Sequence, residues 1–157
     1  MPHINLRPSR TDDQPFLAAV YASTRTDELA PVPWTDAQKA AFLAQQFDAQ
    51  DVAYRQNYPD GSFSIVELDG VPIGRLIVTR LEGNELRIVD VALLPGHRNA
   101  GIGTGLIRDV LAVAESDDLM VSLHVEVWNP AARLYERLGF RRVSANDVHV
   151  RMEWVAS

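Results

Sequence analysis

The feature that most constrains the fold is a strand, a glycine-rich loop and a helix that follow one another past mid-chain. The apolar run over residues 85–94 predicts a long strand, which Pro95-Gly96 ends. Over residues 102–115, apolar side chains recur at helical spacing and predict an amphipathic helix. Because a helix that directly follows a strand has to pack on a face of its sheet, this segment favours an α/β fold.

The rest of the chain adds elements in an order that fits one domain over residues 1–157. Turns at Asp69-Gly70 and Glu82-Gly83-Asn84 join three consecutive strands. The predicted order is β-α-α-β-β-β-α-β-α-β, a mixed sheet with helices on its faces. The other predicted elements are strands over residues 3–7, 63–68, 72–81, 119–127 and 148–154, helices behind capping boxes at residues 11–14 (ending near residue 25) and 35–38, a loop over residues 54–61, and a helix between Asn129-Pro130 and Gly139.

The loop after the long strand has the properties of an anion site. Backbone N–H groups at a helix start have no partner within the helix, and the helix dipole adds positive potential there. Two nucleotide motifs fail at this loop, since the dinucleotide fingerprint needs a glycine where Leu106 stands and the P-loop needs a lysine. The pattern that remains is Arg-x-x-Gly-x-Gly, formed by Arg98, Gly101 and Gly103.

With this pattern the sequence resembles the GNAT superfamily of N-acetyltransferases, whose coenzyme A loop reads Gln/Arg-x-x-Gly-x-Gly/Ala. A second segment, from Asn129 to Phe140, is similar to the family's Asn-x-x-Ala…Leu-Tyr-Glu-x-x-Gly-Phe signature. The resemblance implies the single-domain acyl-CoA N-acyltransferase fold, acetyl-CoA as the donor, and direct transfer of the acetyl group to the amine of a small molecule or a peptide.

The resemblance also implies roles for individual residues. Tyr135 would protonate the leaving thiolate, and Asn129 would bond the cofactor near its pantetheine or sulfur end. The pantetheine arm would pair with Val91, Ala92 and Leu93. The pyrophosphate would be held by backbone N–H groups of the loop, those of Arg98, Asn99, Ala100, Gly101, Ile102, Gly103 and Thr104.

The residue that deprotonates the amine stays open among three candidates. An alkylammonium with a pKa near 10.4 costs about 4–5 kcal/mol to deprotonate at pH 7, so a base is useful. His124 lies five residues before Asn129, and Glu126 points to the same face of its strand. Glu85 opens the central strand, although Arg87 stands closest to the position where other members carry a glutamate. We favour His124.

The acceptor site is less readable than the cofactor loop. The family builds it from the region that here contains Glu28 and Trp34. Glu28 is the best candidate for a carboxylate that binds a cationic amine, and Trp34 is a candidate for the wall of the acceptor groove. Glu126 is a third candidate substrate contact. No motif in this region identifies the acceptor.

Composition excludes several classes of function. The chain has no cysteine, which rules out disulfides, thiolate metal sites and a cysteine nucleophile. A net charge of −6 without a basic stripe argues against nucleic acid, and a negative field favours cationic partners. No apolar run is long enough for a membrane span and no ligand cluster implies a metal, so we expect a cytoplasmic protein. A homodimer stays open.

Two rival functions use the same fold. The first is a non-catalytic acyl-CoA-binding or sensor domain, and the second is a structural domain whose loop binds nothing. Because Tyr135 and Asn129 are both present, the sequence favours an enzyme.

Overall fold

A computed structural model describes residues 3–157. Four α-helices and seven strands occur in this part of the chain, and short 3-10 turns at Thr11–Asp13 and Pro95–His97 precede α1 and the glycine loop. In chain order, the elements are β1 (Ile4–Pro8), α1 (Gln14–Leu29), α2 (Asp36–Asn57), β2 (Ser62–Leu68), β3 (Val71–Leu81), β4 (Glu85–Leu93), α3 (Ile102–Ser116), β5 (Met120–Glu126), α4 (Ala131–Arg137), β6 (Arg141–Ala145) and β7 (His149–Trp154).

The strands form a mixed sheet in the order β1-β2-β3-β4-β5-β7-β6. β4 and β5 are parallel, and their ladder consists of the pairs Glu85↔Met120, Leu86↔Val121 and Arg87↔Ser122. β1 runs antiparallel to β2, and β7 runs antiparallel to both β5 and β6. The predicted mixed α/β class is therefore confirmed.

The chain divides into two compact units. Unit 1 comprises the described residues through Ile77 together with Asp90–Arg98, and unit 2 comprises Val78–Val89 together with Asn99–Ser157. In unit 1, α1 packs on α2, and a buried cluster of Leu17, Phe47 and Ile65 forms its centre. Such burial of large apolar side chains is the main source of folding free energy.

Unit 2 is built around the apolar face of α3. Leu106, Ile107 and Val110 are buried on that face, as the helical periodicity predicted. The inward residues of β5 alternate with outward ones, so Val121, Leu123 and Val125 are buried while His124 is exposed. This alternation leaves a row of polar side chains on the other face of the strand.

Local hydrogen bonds explain where the helices of unit 1 begin. The capping box predicted at Thr35 is present: Gln38 N–H donates to the Thr35 hydroxyl, and Thr35 N–H donates to the Gln38 side chain. The box predicted at Thr11 is displaced by one residue, because the Asp13 carboxylate accepts from the backbone N–H of Arg10.

Several predicted boundaries are wrong. The first helix continues past Arg25 to Leu29, and α2 extends to Asn57, so the first half of the loop predicted over residues 54–61 is helical. β6 was not predicted, since all five of its residues are exposed and give no alternating pattern. Among residues 3–157, no helix combines the length and the apolar character that crossing a membrane requires.

Candidate functional site

The loop between β4 and α3 turns twice through the left-handed region. Asn99 has φ of 60° and Gly101, the residue that caps α3, has φ of 82°. Left-handed residues in such a turn direct successive N–H groups towards one concavity, where an anion can bind. A Cβ at Gly101 would meet no atom of the protein within 4 Å, so the space beside this residue is open.

The first turn of α3 has no side-chain cap. No side chain of residues 3–157 accepts from the N–H groups at this helix start, and the first intrahelical bond at the cap is Gly105 N–H to Gly101 oxygen, at 3.0 Å. The N–H groups of Ile102, Gly103 and Thr104 are therefore donors of the kind that helix starts offer to phosphate.

Arg98, at the end of unit 1, holds the start of this loop through its side chain. Its Nε donates to the carbonyl oxygen of Leu93 at 2.9 Å, and its Nη2 donates to the Ser23 hydroxyl at 3.1 Å. Its backbone N–H donates to the Pro95 oxygen at 3.3 Å. Residues 99–104 of the loop are therefore better candidates for backbone donors than Arg98.

The segment predicted to bind the pantetheine arm forms the end of β4. Val91 and Ala92 are half-buried and Leu93 is buried. Gly74 of β3 lies against this segment, and a Cβ there would collide with the carbonyl oxygen of Ala92. Glycine is thus required at position 74 for the two strands to approach.

In unit 2, the carboxylate of Glu85 is the centre of a hydrogen-bonded cluster. Its Oε2 accepts from the Ser122 hydroxyl, and from Nη2 of Arg87 and Nη2 of Arg151 at 3.1 Å each. Partial burial opposes ionisation, but the bonds from Ser122 and Arg151 outweigh it and lower the pKa of Glu85. Glu85 is therefore a charged anchor for two arginines, and a poor base.

His124 lies on the same face as this cluster, directly across from Arg151 in the β5–β7 ladder. Partial burial lowers the pKa of His124 from 6.5, and the positive charges of Arg87 and Arg151 act in the same direction. The imidazole is therefore neutral at pH 7 and can accept a proton.

Asn129 and Glu126 interact with each other at the end of β5. Asn129 Nδ2 donates to the Glu126 carboxylate at 3.3 Å, and its Oδ1 accepts from the N–H of Ala131 at 2.9 Å. Asn129 thus caps the start of α4, as its position before Pro130 predicted. Its side chain orders this turn whether or not it also binds a ligand.

Tyr135 is almost fully buried on α4, at 9% exposure, and its ring packs edge-on against Phe140 at a centroid distance of 5.7 Å. This contact fixes the direction of the phenol.

The acceptor candidates of unit 1 lie in separate contacts. Glu28 forms an exposed ion pair with Arg25 at 3.1 Å, within α1. Trp34 is 42% exposed and packs edge-on against Phe42 of α2. Neither contact brings Glu28 and Trp34 together.

Sequence reasoning missed Ser122, Arg151 and Ser23, which hold Glu85 and Arg98 in place. The one available signal was the alternation of polar residues along β5, in which Ser122, His124 and Glu126 share a face. Within residues 3–157, no group of histidine and carboxylate side chains could hold a metal ion.

Comparison with known proteins gives consistent results. Residues 24–140 match the model of the Acetyltransferase (GNAT) family. One curated relative, the cysteine-rich protein 2-binding protein of Mus musculus, is 31% identical over 91 residues, or 58% of this chain and 11% of its own length. The chain therefore spans about a tenth of that relative.

Solved structures share the fold at low sequence identity. The PaiA N-acetyltransferase from Thermoplasma acidophilum, in complex with coenzyme A, has a TM-score of 0.74 at 16% identity and covers 98% of this chain and 99% of its own. The ribosomal-protein-S18-alanine N-acetyltransferase from Escherichia coli has a TM-score of 0.64 at 20% identity, with 99% and 95% covered. An acetyltransferase from Thermus thermophilus has a TM-score of 0.69 at 18% identity, with 98% and 97% covered.

Proposed function

The chain belongs to the acetyltransferase (GNAT) family, and we propose that it transfers an acetyl group from acetyl-CoA directly to an amine. The observation that carries this proposal is the uncapped start of α3 behind the left-handed Gly101, which lies within the matched residues. The family uses acetyl-CoA, which supplies an activated thioester when it is bound.

The loop residues fit the pyrophosphate of that donor. The donors are backbone N–H groups, the helix dipole favours an anion, and the open side of Gly101 leaves room for it. We assign this role to Asn99, Ala100, Gly101, Ile102, Gly103 and Thr104, with Arg98 fixing the start of the loop. Val91, Ala92 and Leu93 would bind the pantetheine arm, because the backbone at the end of a strand can hydrogen-bond an extended partner.

His124 is the proposed base for the acceptor amine. The imidazole is neutral at pH 7, and solvent reaches the ring. The charged side chains beside it, those of Glu85 and Arg151, are held in place by their hydrogen bond to each other and by the bond from Ser122 to Glu85. A fixed environment matters because a base contributes only when it lies within hydrogen-bond reach of the proton it removes. Glu85 itself is better assigned to positioning, since its carboxylate is already bonded three times.

Tyr135 is the proposed acid for the leaving sulfur, a role that rests on the family signature. A phenol in water has a pKa near 10 and a thiol one near 8.5, so proton transfer from the first kind of group to the anion of the second costs about 2 kcal/mol. Asn129 is proposed to bond the donor near its sulfur end, in addition to capping α4.

The acceptor class follows from charge and exposure. Glu28, Trp34 and Glu126 stay the proposed acceptor contacts, each on its own chemistry: a carboxylate suits a protonated amine, and an indole suits its apolar neighbours, as expected for a primary amine of a small molecule or a peptide. A peptide amine deserves testing because the Escherichia coli neighbour is named for acetylating an alanine of ribosomal protein S18. A single domain over residues 1–157 and a cytoplasmic location stay predictions from the sequence, which leaves a homodimer open.

A thiol-release assay tests the proposal. The purified chain is incubated with acetyl-CoA and, separately, with a polyamine, an amino acid, an aminoglycoside and a peptide that begins with alanine. We expect thiol release with one acceptor class, together with a gain of one acetyl group by mass spectrometry. Binding of acetyl-CoA without turnover on any amine would favour the non-catalytic acyl-CoA-binding alternative, and absence of binding would contradict the function outright.

A further inference from the structure

Unit 1 contains an open groove of about 480 Å³ that the proposed transfer reaction does not use. The end of β1, the last turn of α2 and the start of β2 form its walls, and Ser9 N–H donates to the Phe63 oxygen across its floor at 2.9 Å. The side chains that decide its chemistry are those of Leu6, Arg7, Arg55, Tyr58, Pro59 and Phe63. The groove therefore offers rings and apolar surface next to two guanidinium groups.

The guanidinium of Arg55 has unused donors in this groove. Its Nε donates to the Asp51 carboxylate at 3.2 Å, and its carbon lies 4.6 Å from the centre of the Phe63 ring. Neither terminal nitrogen donates to another residue between positions 3 and 157, and the side chain is 45% exposed. A free pair of guanidinium nitrogens matches the two oxygens of a carboxylate.

Arg7 differs from Arg55 because its donors are already committed. Its Nη1 and Nη2 bind the two oxygens of Asp13 at 2.9 Å each, and its Nε binds Glu67 at 2.8 Å. The bonds from Arg7 lower the pKa of Asp13 to about 2, so this pair stays ionised at neutral pH. Arg55 is thus the side chain of the groove that can bind an oxyanion.

A smaller cavity of about 10 Å³ adjoins the groove and shares Ser9, Arg55, Phe63 and Ser64 with it. Its inner wall includes Arg75, whose side chain is 5% exposed. Arg75 Nε donates to Asp90 at 3.0 Å, but its buried Nη2 has no partner among the described residues. A buried donor without a hydrogen-bond partner destabilises the fold, and a cavity of this size accommodates about one oxygen atom.

The charges around the groove select the kind of anion. Arg55 and Arg75 are balanced by Asp51 and Asp90, and Arg7 faces two carboxylates. Because no net positive charge is available, binding has to come from directional hydrogen bonds and ring contacts. A dianionic phosphate is disfavoured by this balance, whereas a carboxylate carries a single charge on a planar group.

We propose that this groove is a second binding site, which takes a small monocarboxylate that carries a ring or a short apolar chain. The carboxylate binds the terminal nitrogens of Arg55, with one oxygen directed to the cavity in front of Arg75, and the apolar part lies against Tyr58 and Phe63. The site goes beyond the proposed acetyl transfer and does not depend on it.

An NMR titration of the full chain with benzoate tests the site, with benzamide as its neutral isostere and inorganic phosphate as a dianionic control. We expect benzoate to shift ring signals of Tyr58 and Phe63 and to bind at least about ten-fold more tightly than benzamide, a difference of about 1.4 kcal/mol. Phosphate should bind more weakly than benzoate. Equal affinities for benzoate and benzamide, or no saturable binding of benzoate, would overturn the proposal.

Variants of Arg55 locate the site. R55M should weaken benzoate binding about ten-fold, and R55K should also weaken it, since lysine keeps the charge but loses the paired nitrogens. R80M removes an exposed arginine of β3 that lies outside the groove, and it should bind benzoate as the wild type does. All three should keep acetyl-CoA binding. Undiminished benzoate binding by folded R55M would refute the assignment.

Discussion

The two units each contain a cluster of charged side chains, and the clusters differ in how completely their polar atoms are bonded. In unit 2, Glu85 accepts from Ser122, Arg87 and Arg151, and Arg151 Nε is bonded to Glu153. In unit 1, Asp51 Oδ1 and Arg75 Nη2 are buried and have no hydrogen-bond partner among residues 3–157, although Asp51 Oδ1 lies 3.9 Å from Arg75 Nη1. The first arrangement fixes the strand face that presents His124, whereas the second leaves binding capacity for a ligand.

The difference separates two roles of a charge cluster. A cluster whose polar atoms are bonded to one another supports the fold, whereas one with unbonded polar atoms can bind a ligand. A fully bonded cluster should tolerate no loss of its central carboxylate, because two arginines would lose their partner together. A cluster with unpaired atoms and an exposed arginine should tolerate the loss of that arginine. Four predictions test this contrast.

The largest expected effect is on stability in unit 2. Glu85→Ala should lower the free energy of unfolding by about 3 kcal/mol, since it leaves the half-buried Arg87 without its carboxylate and Arg151 with Glu153 alone. Urea denaturation measures this. Glu136→Ala is the matched control, because its ion pair with Arg142 is about half exposed and should contribute less than about 1 kcal/mol. If both variants lost the same free energy of unfolding, the bonded cluster around Glu85 would contribute no more to stability than the exposed ion pair of Glu136.

The next effect concerns His124, the proposed base, on the strand face beside the Glu85 cluster. His124→Gln should lower kcat/KM about 100-fold, within the range of general-base contributions. Because the pKa of His124 is lowered, the wild-type imidazole is neutral at pH 7, and kcat/KM should fall only as acidification takes the pH below 6.5 and protonates it. The variant should lose this acidic limb. A pH profile that is the same in both proteins would exclude His124 as the base.

A smaller effect is expected at the proposed acid. Tyr135→Phe should lower turnover at least about ten-fold, because the hydroxyl proposed to donate to the leaving sulfur is lost while the ring contact with Phe140 remains. Calorimetry should give a nearly unchanged affinity for acetyl-CoA. Unaltered turnover would remove Tyr135 from the mechanism.

The smallest effect is expected in unit 1. Arg55→Met should change the free energy of unfolding by less than about 1 kcal/mol, because the side chain is 45% exposed and its buried partner Asp51 keeps its contacts with Gln14 and Arg75. The same urea denaturation series measures it. A loss as large as that of Glu85→Ala would mean that Arg55 supports the fold and is not reserved for a ligand.

Much of the fold could be predicted because its signals are local. The turns at Asp69-Gly70 and Glu82-Gly83-Asn84, and the apolar face of α3, each depend on residues close in sequence, and the structure confirms them. The extent of α2 could not be predicted in this way, since few of its residues are buried and its last turn contains no breaker before Asn57. β6 gave no signal because no face of it is buried.

The candidate site could be predicted only where the residues that form it are close together in the sequence. The loop from Arg98 to Thr104 is such a segment, in which Gly101 of the glycine pattern is left-handed; Asn99, which is not part of the pattern, is left-handed as well. The partners of Glu85 were not predictable, because Ser122 and Arg151 are 37 and 66 residues away and meet it through strand register. Register depends on the packing of the whole sheet, which a single sequence does not reveal.

The most direct test of the account is a thermal shift with saturating acetyl-CoA on three proteins: the wild type, Gly101→Val and Gly83→Val. Both glycines have positive φ, 82° and 78°, and open space beside them, so the two valines impose similar backbone strain. At about 100 times its dissociation constant, the ligand should stabilise by about 2.7 kcal/mol, or roughly 5–10 °C for a chain of this size. We predict this shift for the wild type and Gly83→Val and its loss in Gly101→Val, whereas an equal shift in all three would mean that the loop before α3 does not bind the donor.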